Sequence, residues 1–71
     1  MVMNYISDAG LRILQTLDKT GRSMQWLAMR TNIHRHTISR FVYGYNDLRL
    51  STAIRIADAL GVSLDWLYLG R

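Results

Sequence analysis

The 71-residue sequence contains no cysteine, no proline and no glutamate. Without cysteine there are no disulfides, so the fold must be stabilised by apolar packing between its elements. No run of about 18 apolar residues is present, which argues against a transmembrane helix. Residues 1–6 lack the basic start and the long apolar stretch of a signal peptide. We therefore expect a soluble, cytoplasmic protein with no membrane partner.

The residue types needed for catalysis and metal binding are also scarce. The two histidines, His34 and His36, are two positions apart and therefore point to different sides of a helix. No cysteine or glutamate accompanies them, and no glycine-rich phosphate loop occurs elsewhere. We expect no enzymatic activity, no metal site and no cofactor.

Basic residues outnumber acidic ones by nine to five, which gives a net charge of +4 when the histidines are neutral. Lys19, Arg22, Arg30, Arg35 and Arg40 lie in a segment, residues 19–46, that contains no acidic residue. A basic face of this kind favours a polyanionic partner such as nucleic acid. Charge alone leaves a second interpretation open, in which these residues only keep the surface solvated.

Apolar residues recur every three or four positions from Ile6 to Leu69, whereas the alternation typical of strands is nowhere sustained. Glycines able to end a helix follow these apolar stretches, and serines able to cap a helix precede them. The glycines are Gly21, Gly44, Gly61 and Gly70, and the serines are Ser7, Ser23, Ser51 and Ser63. The pattern predicts a single all-α domain over residues 1–71 with five helices, at about Asp8–Lys19, Met24–Arg30, Arg35–Tyr43, Thr52–Leu60 and Leu64–Leu69.

Each of the first four predicted helices has an apolar face that we expect to form the core. The residues expected to face inward are Leu11, Ile13, Leu14, Leu17, Leu27, Ala28, Ile38, Phe41, Val42, Ile54, Ala57 and Leu60. Trp26 and Trp66 lie among aliphatic neighbours at helical spacing, which favours packing in the core over stacking on bases. The opposite face of the third helix is polar, so we expect its two faces to serve different purposes.

Only residues 31–34 separate the second predicted helix from the third, which requires a sharp turn. Asn32 suits such a turn because asparagine tolerates a positive φ better than most residues other than glycine. Ala28 is small where the third helix would cross the second. The apolar wedge between the two helices would be supplied by Ile33, Ile38 and Phe41. Together these features predict a helix-turn-helix over residues 24–43, whose second helix presents its polar side to the major groove of DNA.

Several stretches of the sequence carry a family resemblance. They are SMQWLA at residues 23–28, Ile33, TISRF at residues 37–41 with Gly44, LST at residues 50–52 and, the most specific, IADALGVSLDWL at residues 56–67. Because of these stretches, the chain resembles the Cro and repressor-like (XRE-type) helix-turn-helix proteins of temperate phages and bacteria. The resemblance covers about residues 10–70. The resemblance implies a compact five-helix, lambda-repressor-like domain that binds double-stranded operator DNA, usually as a homodimer. We expect no second domain, so the chain is expected to be more similar to a Cro-like regulator than to a full-length repressor.

The chain departs from the family pattern at several positions. Met24 replaces the glutamine that usually anchors to a backbone phosphate. Asn32 replaces the glycine of the turn, and His34 replaces the serine or threonine that caps the recognition helix. Many relatives have a glutamate and an arginine that form a buried ion pair, and in this chain the same two positions are occupied by Val42 and Leu17. An apolar contact therefore replaces the ion pair.

Four residues match the positions with which the family reads bases: Arg35, His36, Ser39 and Arg40. Arg35 and Arg40 can each make a bidentate contact to O6 and N7 of guanine, although either could instead meet only a phosphate. The residues expected to contact the DNA backbone or to flank the motif are Arg22, Gln25, His34, Thr37, Tyr43, Tyr45, Asn46 and Arg49. Such side chains set the register of the protein on DNA, and a purely solvated role remains open for each.

The C-terminal stretch is more apolar than a solvent-exposed tail should be. We expect Leu64, Trp66, Tyr68 and Leu69 to form an interface with a second copy of the chain or with another protein. The latter case leaves an alternative function open, that of a modulator, antirepressor or antitoxin-like protein that acts mainly by binding another regulator. The missing glutamine at the start of the second helix favours this alternative, whereas the acid-free basic face favours DNA.

Overall fold

Five α-helices follow one another in the computed structural model, which describes residues 6–71. They are α1 (Asp8–Lys19), α2 (Met24–Thr31), α3 (Arg35–Val42), α4 (Leu50–Leu60) and α5 (Leu64–Leu69). No strand occurs within those residues, so the all-α, five-helix prediction is confirmed. None of these helices is both long and apolar enough to cross a membrane. Residues 1–5 of the domain predicted over residues 1–71 lie outside the described range.

Serine side chains cap three of the helices, as the sequence predicts. The Oγ atoms of Ser7, Ser23 and Ser63 each accept a hydrogen bond, 2.9 or 3.0 Å long, from the amide three residues further on. The prediction for Ser51 is wrong, because this residue lies inside the first turn of α4. Arg49 takes the N-cap position without a side-chain bond, and its carbonyl already accepts the first helical hydrogen bond, 2.9 Å long. The helix therefore starts two residues before its predicted start.

The ends of the helices lie within one residue of their predicted positions. α2 extends one residue further than predicted, and α3 stops one residue earlier, with Tyr43 as its C-cap. α4 and α5 end at glycines, since Gly61 and Gly70 adopt left-handed φ values of 74° and 78°. Such small differences are common at helix ends and leave the predicted helix-turn-helix in place.

Every helix contributes at least one fully buried side chain to a common core. The largest of these side chains are Ile13, Leu27, Ile38, Ile56, Leu67 and Val42. The predicted inward residues Leu14 and Leu60 are half-buried against the core, as is Trp26. Leu17 is buried with Val42, so the positions of the family's ion pair are occupied by apolar side chains in the core. The core thus holds the inner face of α3, and with it the orientation of the whole helix.

The prediction of a core position is wrong for two residues. Leu11 is 45% exposed and Ile54 is 41% exposed. The buried stripe of α1 passes through Ile13, and a residue two positions away is turned by about 200° around a helix. In α4 the buried positions are Ala53, Ile56 and Ala57, which leaves Ile54 beyond the edge of the apolar face.

The C-terminal ends of α2 and α3 are each bound by a hydrogen bond from a residue outside the helix-turn-helix. α3 packs against α1 and α2, and α4 packs against α2. The backbone amide of Ser7 donates to the carbonyl of Val42, at the end of α3, over 3.0 Å. The guanidinium of Arg55, on α4, donates to the carbonyl of Thr31 at the end of α2. These bonds restrict movement of the two helices relative to the rest of the domain.

Candidate nucleic-acid interface

The turn between α2 and α3 is made by a left-handed asparagine. Asn32 is the C-cap of α2, with φ 57° and ψ 34°, and is the only residue other than glycine with a positive φ within residues 6–71. Its amide donates to the carbonyl of Ala28, and the amide of Ile33 donates to the same carbonyl over 3.2 Å. The conformation predicted for Asn32, in place of the family's glycine, is therefore confirmed.

The two helices of the motif meet across small and apolar residues. Ala28 of α2 is buried, as are Ile33 in the turn and Ile38 and Phe41 on α3. Thr31 is the buried polar residue at the end of α2, and its Oγ1 donates over 2.7 Å to a carbonyl one turn back in the same helix. Burial of its hydroxyl is therefore compensated by a hydrogen bond. The buried side of α3 fixes the direction in which its polar side faces.

The polar side of α3 carries the four predicted base-reading residues. Arg35, His36 and Arg40 are exposed, while Ser39 is half-buried, as is the flanking residue Thr37. Arg35 and Ser39 are four positions apart, as are His36 and Arg40, so each pair lies on one side of the helix. α3 contains no acidic residue, which leaves the positive charge of this surface without a neutralising partner on the same helix.

A histidine caps the start of α3. Nδ1 of His34 accepts a hydrogen bond of 3.1 Å from the backbone amide of His36. The two imidazole rings meet edge to face, with their centroids 6.3 Å apart. The side chain that replaces the family's serine or threonine thus performs the same capping function. His34, predicted only as a flanking residue, fixes the first turn of the helix that carries the base-reading residues.

An open groove of about 620 Å³ lies between α2 and α3. Gln25 and Met29 line it from α2, and His34 and Arg35 line it from the start of α3. Met29 is 74% exposed, the largest exposure of any apolar side chain among residues 6–71. It was not predicted as a site residue, although its distance of one helical turn from Gln25 places both on the same face. The groove brings predicted phosphate-contacting and base-reading residues together.

The other predicted flanking residues lie at the two ends of the motif. Arg22 precedes α2, and Tyr43, Tyr45, Asn46 and Arg49 lie in the connection from α3 to α4. All five are exposed.

Two of the arginines rest against aromatic rings. The guanidinium carbon of Arg22 lies 4.1 Å from the ring centroid of Trp26, and that of Arg40 lies 5.6 Å from the ring centroid of Tyr45. Both distances fall within the range of about 6 Å over which a cation is attracted to an aromatic face. These contacts were not predicted, because spacing alone does not reveal which rotamer a long side chain adopts. They limit the positions of the two guanidinium groups before a partner binds.

The predicted C-terminal interface residues divide into two pairs. Leu64 and Trp66 are half-buried, and Leu64 packs against the core. Tyr68 and Leu69 are exposed, Leu69 by 60%. Of the four residues, those in the last turn of α5 therefore offer the larger apolar surface to a partner.

Tyr68 also joins the end of α5 to α3. Its ring meets that of Phe41 edge to face, with centroids 6.2 Å apart. Partial burial raises the pKa of the Tyr68 hydroxyl, and the negative charge of Asp47 raises it further. The hydroxyl therefore stays protonated at pH values at which an exposed tyrosine ionises.

Comparison with known proteins adds a family and a structural relative. The family profile described as helix-turn-helix matches residues 13–67, which is most of the chain. The fold is similar to the crystal structure of the restriction-modification controller protein C.AhdI from Aeromonas hydrophila, with a TM-score of 0.79, 21% sequence identity, and coverage of 86% of this chain and 92% of that chain. No curated protein gave a significant match. The resemblance found in the residues is confirmed: the chain belongs to the helix-turn-helix family of DNA-binding transcriptional regulators.

Proposed function

We propose that the protein binds a specific double-stranded DNA site by laying α3 in the major groove, and that it regulates transcription from that site. The observation that carries this proposal is the polar face of α3, on which Arg35, His36 and Arg40 are exposed while the opposite face is buried. α3 has eight residues and is therefore about 12 Å long. The major groove, about 12 Å wide, admits a helix of this kind.

Arg35 and Arg40 are the residues that we assign to sequence recognition, each through two hydrogen bonds to O6 and N7 of a guanine. His36 and Ser39 lie between them on the same helix and would contact the adjacent bases. The groove that Gln25 shares with Arg35 supports a backbone contact beside the bases. The remaining backbone contacts are assigned to Arg22, His34, Thr37, Tyr43, Tyr45, Asn46 and Arg49.

We further propose that two copies bind a palindromic site, with their α3 helices in successive major grooves about 34 Å apart. One α3 reaches too few base pairs to select a site among many, so a second copy adds both affinity and specificity. The exposed side chains of Tyr68 and Leu69 support an interface at the end of α5, to which the half-buried Leu64 and Trp66 are assigned as well. Such a dimer would act in the cytoplasm as a Cro-like regulator that blocks or recruits polymerase by its position.

The function is tested by titrating the purified protein against the DNA upstream of its own gene and against a random duplex of equal length, at about 50 and 200 mM salt. We expect tighter binding to the upstream DNA, with an affinity that falls steeply as salt rises because counterions are released from the phosphates. Equal affinity for both duplexes would overturn the proposal of an operator in that region.

A second candidate function is supported by the exposed apolar side chains of α4 and α5. Leu50 and Ile54 lie one turn apart on α4, and Leu69 ends α5; all three are exposed. Exposed apolar side chains of this kind suit a protein that acts by binding another regulator. Two results together would favour this function: the protein shows no preference for its own upstream DNA, and it forms a stoichiometric complex with another protein whose affinity does not change with salt.

A further inference from the structure

The cap at the start of α3 depends on the protonation state of one side chain. Helix caps are usually made by serine, threonine, asparagine or aspartate, whose oxygen atoms accept the hydrogen bond at neutral pH. Here the acceptor is Nδ1 of His34, 3.1 Å from the amide nitrogen of His36. An imidazole nitrogen accepts a hydrogen bond only when it carries no proton, and both nitrogens are donors in the charged ring. The cap therefore exists only with neutral His34.

We propose that His34 is the positioning residue for base recognition, and that protonation of its ring, which breaks the cap, weakens the preference of this protein for a specific DNA site. The inference rests on the proposed function. Histidine is the side chain whose charge ordinarily changes between about pH 5 and pH 8. Protonation removes the cap from a helix of only eight residues, whose first turn includes Arg35 and His36. These two of the four base-reading residues then lie on a turn that is no longer fixed by the cap.

In the protein without DNA, the described neighbours of His34 do not offer the charged ring a new partner. From α2, the groove beside it is lined by Gln25, Ala28 and Met29, none of which ionises. On α3 its charged or titratable neighbours are Arg35, in the same groove, and His36, whose ring is edge to face with it. A proton on His34 would thus add positive charge beside an arginine and at the positive end of the helix dipole. Protonation breaks the cap without forming an ion pair.

The quantity to measure is the ratio of two affinities, one for a duplex selected by this protein from a random-sequence pool and one for an unselected duplex. An added positive charge strengthens attraction to phosphates on both duplexes, and this contribution largely cancels in the ratio. We expect the ratio to fall roughly fivefold between about pH 7.5 and about pH 5.5, the effect of losing one helix cap of ordinary strength.

Three variants separate His34 from the rest of the helix. His36→Gln removes the neighbouring imidazole and leaves the backbone amide that His34 caps, so whatever its ratio at about pH 7.5, that ratio should still fall at lower pH. His34→Asn, added to His36→Gln, supplies a cap that does not titrate, so the ratio should be the same at both pH values. His34→Ala, added to the same background, removes the cap, so its ratio should be lower than that of His36→Gln at about pH 7.5 and should not fall further. A pH dependence that survives with His34→Asn, or is absent in His36→Gln alone, would overturn the proposal.

A measurement on the protein without DNA distinguishes this inference from the proposed function. In the His36→Gln background, the amide proton of residue 36 should shift in NMR spectra as the pH is lowered from about 7.5 to about 5.5. It should also exchange with solvent faster than the pH change alone predicts. Neither change should occur when His34→Asn is added. If no duplex is preferred at any pH, the proposed function fails even where this amide responds as expected. If a duplex is preferred and this amide does not respond, the cap mechanism fails and the function stands.

Discussion

At the scale of the residue, the two sides of α3 are stabilised by different interactions. Ile38 and Val42 are fully buried and contribute by removing apolar surface from water. Arg35 and His36 are exposed and add nothing to this core. Substitutions on the exposed side should therefore change DNA binding at nearly constant stability, and those on the buried side should change stability first.

Arg35→Ala tests the assignment of base recognition. We expect affinity for the selected duplex to fall by about 1 to 3 kcal/mol, which is the discrimination that a bidentate arginine–guanine pair provides. Affinity for random DNA should fall much less, and the free energy of unfolding should change by less than about 0.5 kcal/mol because the side chain is exposed. Fluorescence anisotropy with both duplexes and urea denaturation measure the three quantities.

The matched control is Arg22→Ala, because Arg22 is also an exposed arginine but lies at the other end of the motif. As a phosphate contact it should weaken binding to both duplexes equally and lower the salt slope by about one. If Arg35→Ala behaved in the same manner as Arg22→Ala, the assignment of Arg35 to a base would be wrong.

Gly10→Ala should destabilise the fold by about 1 to 3 kcal/mol, although alanine ordinarily favours a helix. A Cβ atom at this position would lie 2.7 Å from Cα of Val42 and 2.8 Å from Oγ of Ser7, so α1 would have to move away from the end of α3. Urea denaturation measures the change. The exposed Gln15→Ala on the same helix is the control and should be nearly neutral. Equal free energies of unfolding for the two variants would show that α1 can move away from the end of α3 without loss of stability.

At the scale of the element, the sequence predicts helices more accurately than their faces. Glycines and serines mark helix boundaries by local chemistry, and the predicted bounds of α1 and α5 match the structure. Which residues are buried depends on the rotation of each helix against its neighbours, and this is why Leu11 and Ile54 were wrongly expected in the core. The capping bond of His34 and the position of Met29 in the groove depend in the same way on side-chain geometry that spacing does not determine.

Two serines provide a direct test of the helix starts. Ser23→Ala should cost about 1 kcal/mol, because it removes the acceptor for the amide of Trp26 at the start of α2. Ser51→Ala should be neutral or slightly stabilising, since Ser51 is exposed within α4 and caps nothing. Both changes are measured as free energies of unfolding in urea. A comparable cost for Ser51→Ala would place the start of α4 where the sequence predicted it.

At the scale of the whole molecule, α5 connects the DNA-binding surface to the proposed dimer interface. Arg12, on α1, donates to the carbonyl of Leu67 over 3.0 Å, and Tyr68 meets Phe41 of α3. The end of α5 is therefore fixed relative to α3. Two copies joined through α5 would hold their α3 helices at a defined separation, which is the geometry that a palindromic site requires.

Leu69→Lys tests this interface. The side chain is 60% exposed, so the fold of one copy should tolerate lysine, while two lysines near a two-fold axis would repel each other. Sedimentation equilibrium should show weaker association than for the wild-type chain, and binding to a two-half-site duplex should require more protein. Gln15→Lys adds the same charge at an exposed position of α1 and serves as the control. Unchanged association in Leu69→Lys would exclude the last turn of α5 from the interface.

Alkaline pH should weaken the fold through Tyr68. The pKa of its hydroxyl is raised in the folded protein above the ordinary 10.0, by burial and then by Asp47. The unfolded chain therefore loses this proton first, so the stabilising contribution is complete below pH 10.0 and is lost as pH rises through the higher folded value. Urea denaturation at rising pH should show a smaller decline for Tyr68→Phe than for the wild type. Identical declines would assign the loss to other groups.

The separation of a buried from an exposed side on α3 has a consequence for the evolution of such a regulator. Arg35, His36 and Arg40 are exposed, and exchanges at exposed positions usually alter stability by less than about 0.5 kcal/mol. After a gene duplication, one copy could therefore acquire a new target through a few substitutions without first gaining stability elsewhere. Two paralogues could then control different promoters in one cell while they share the same fold.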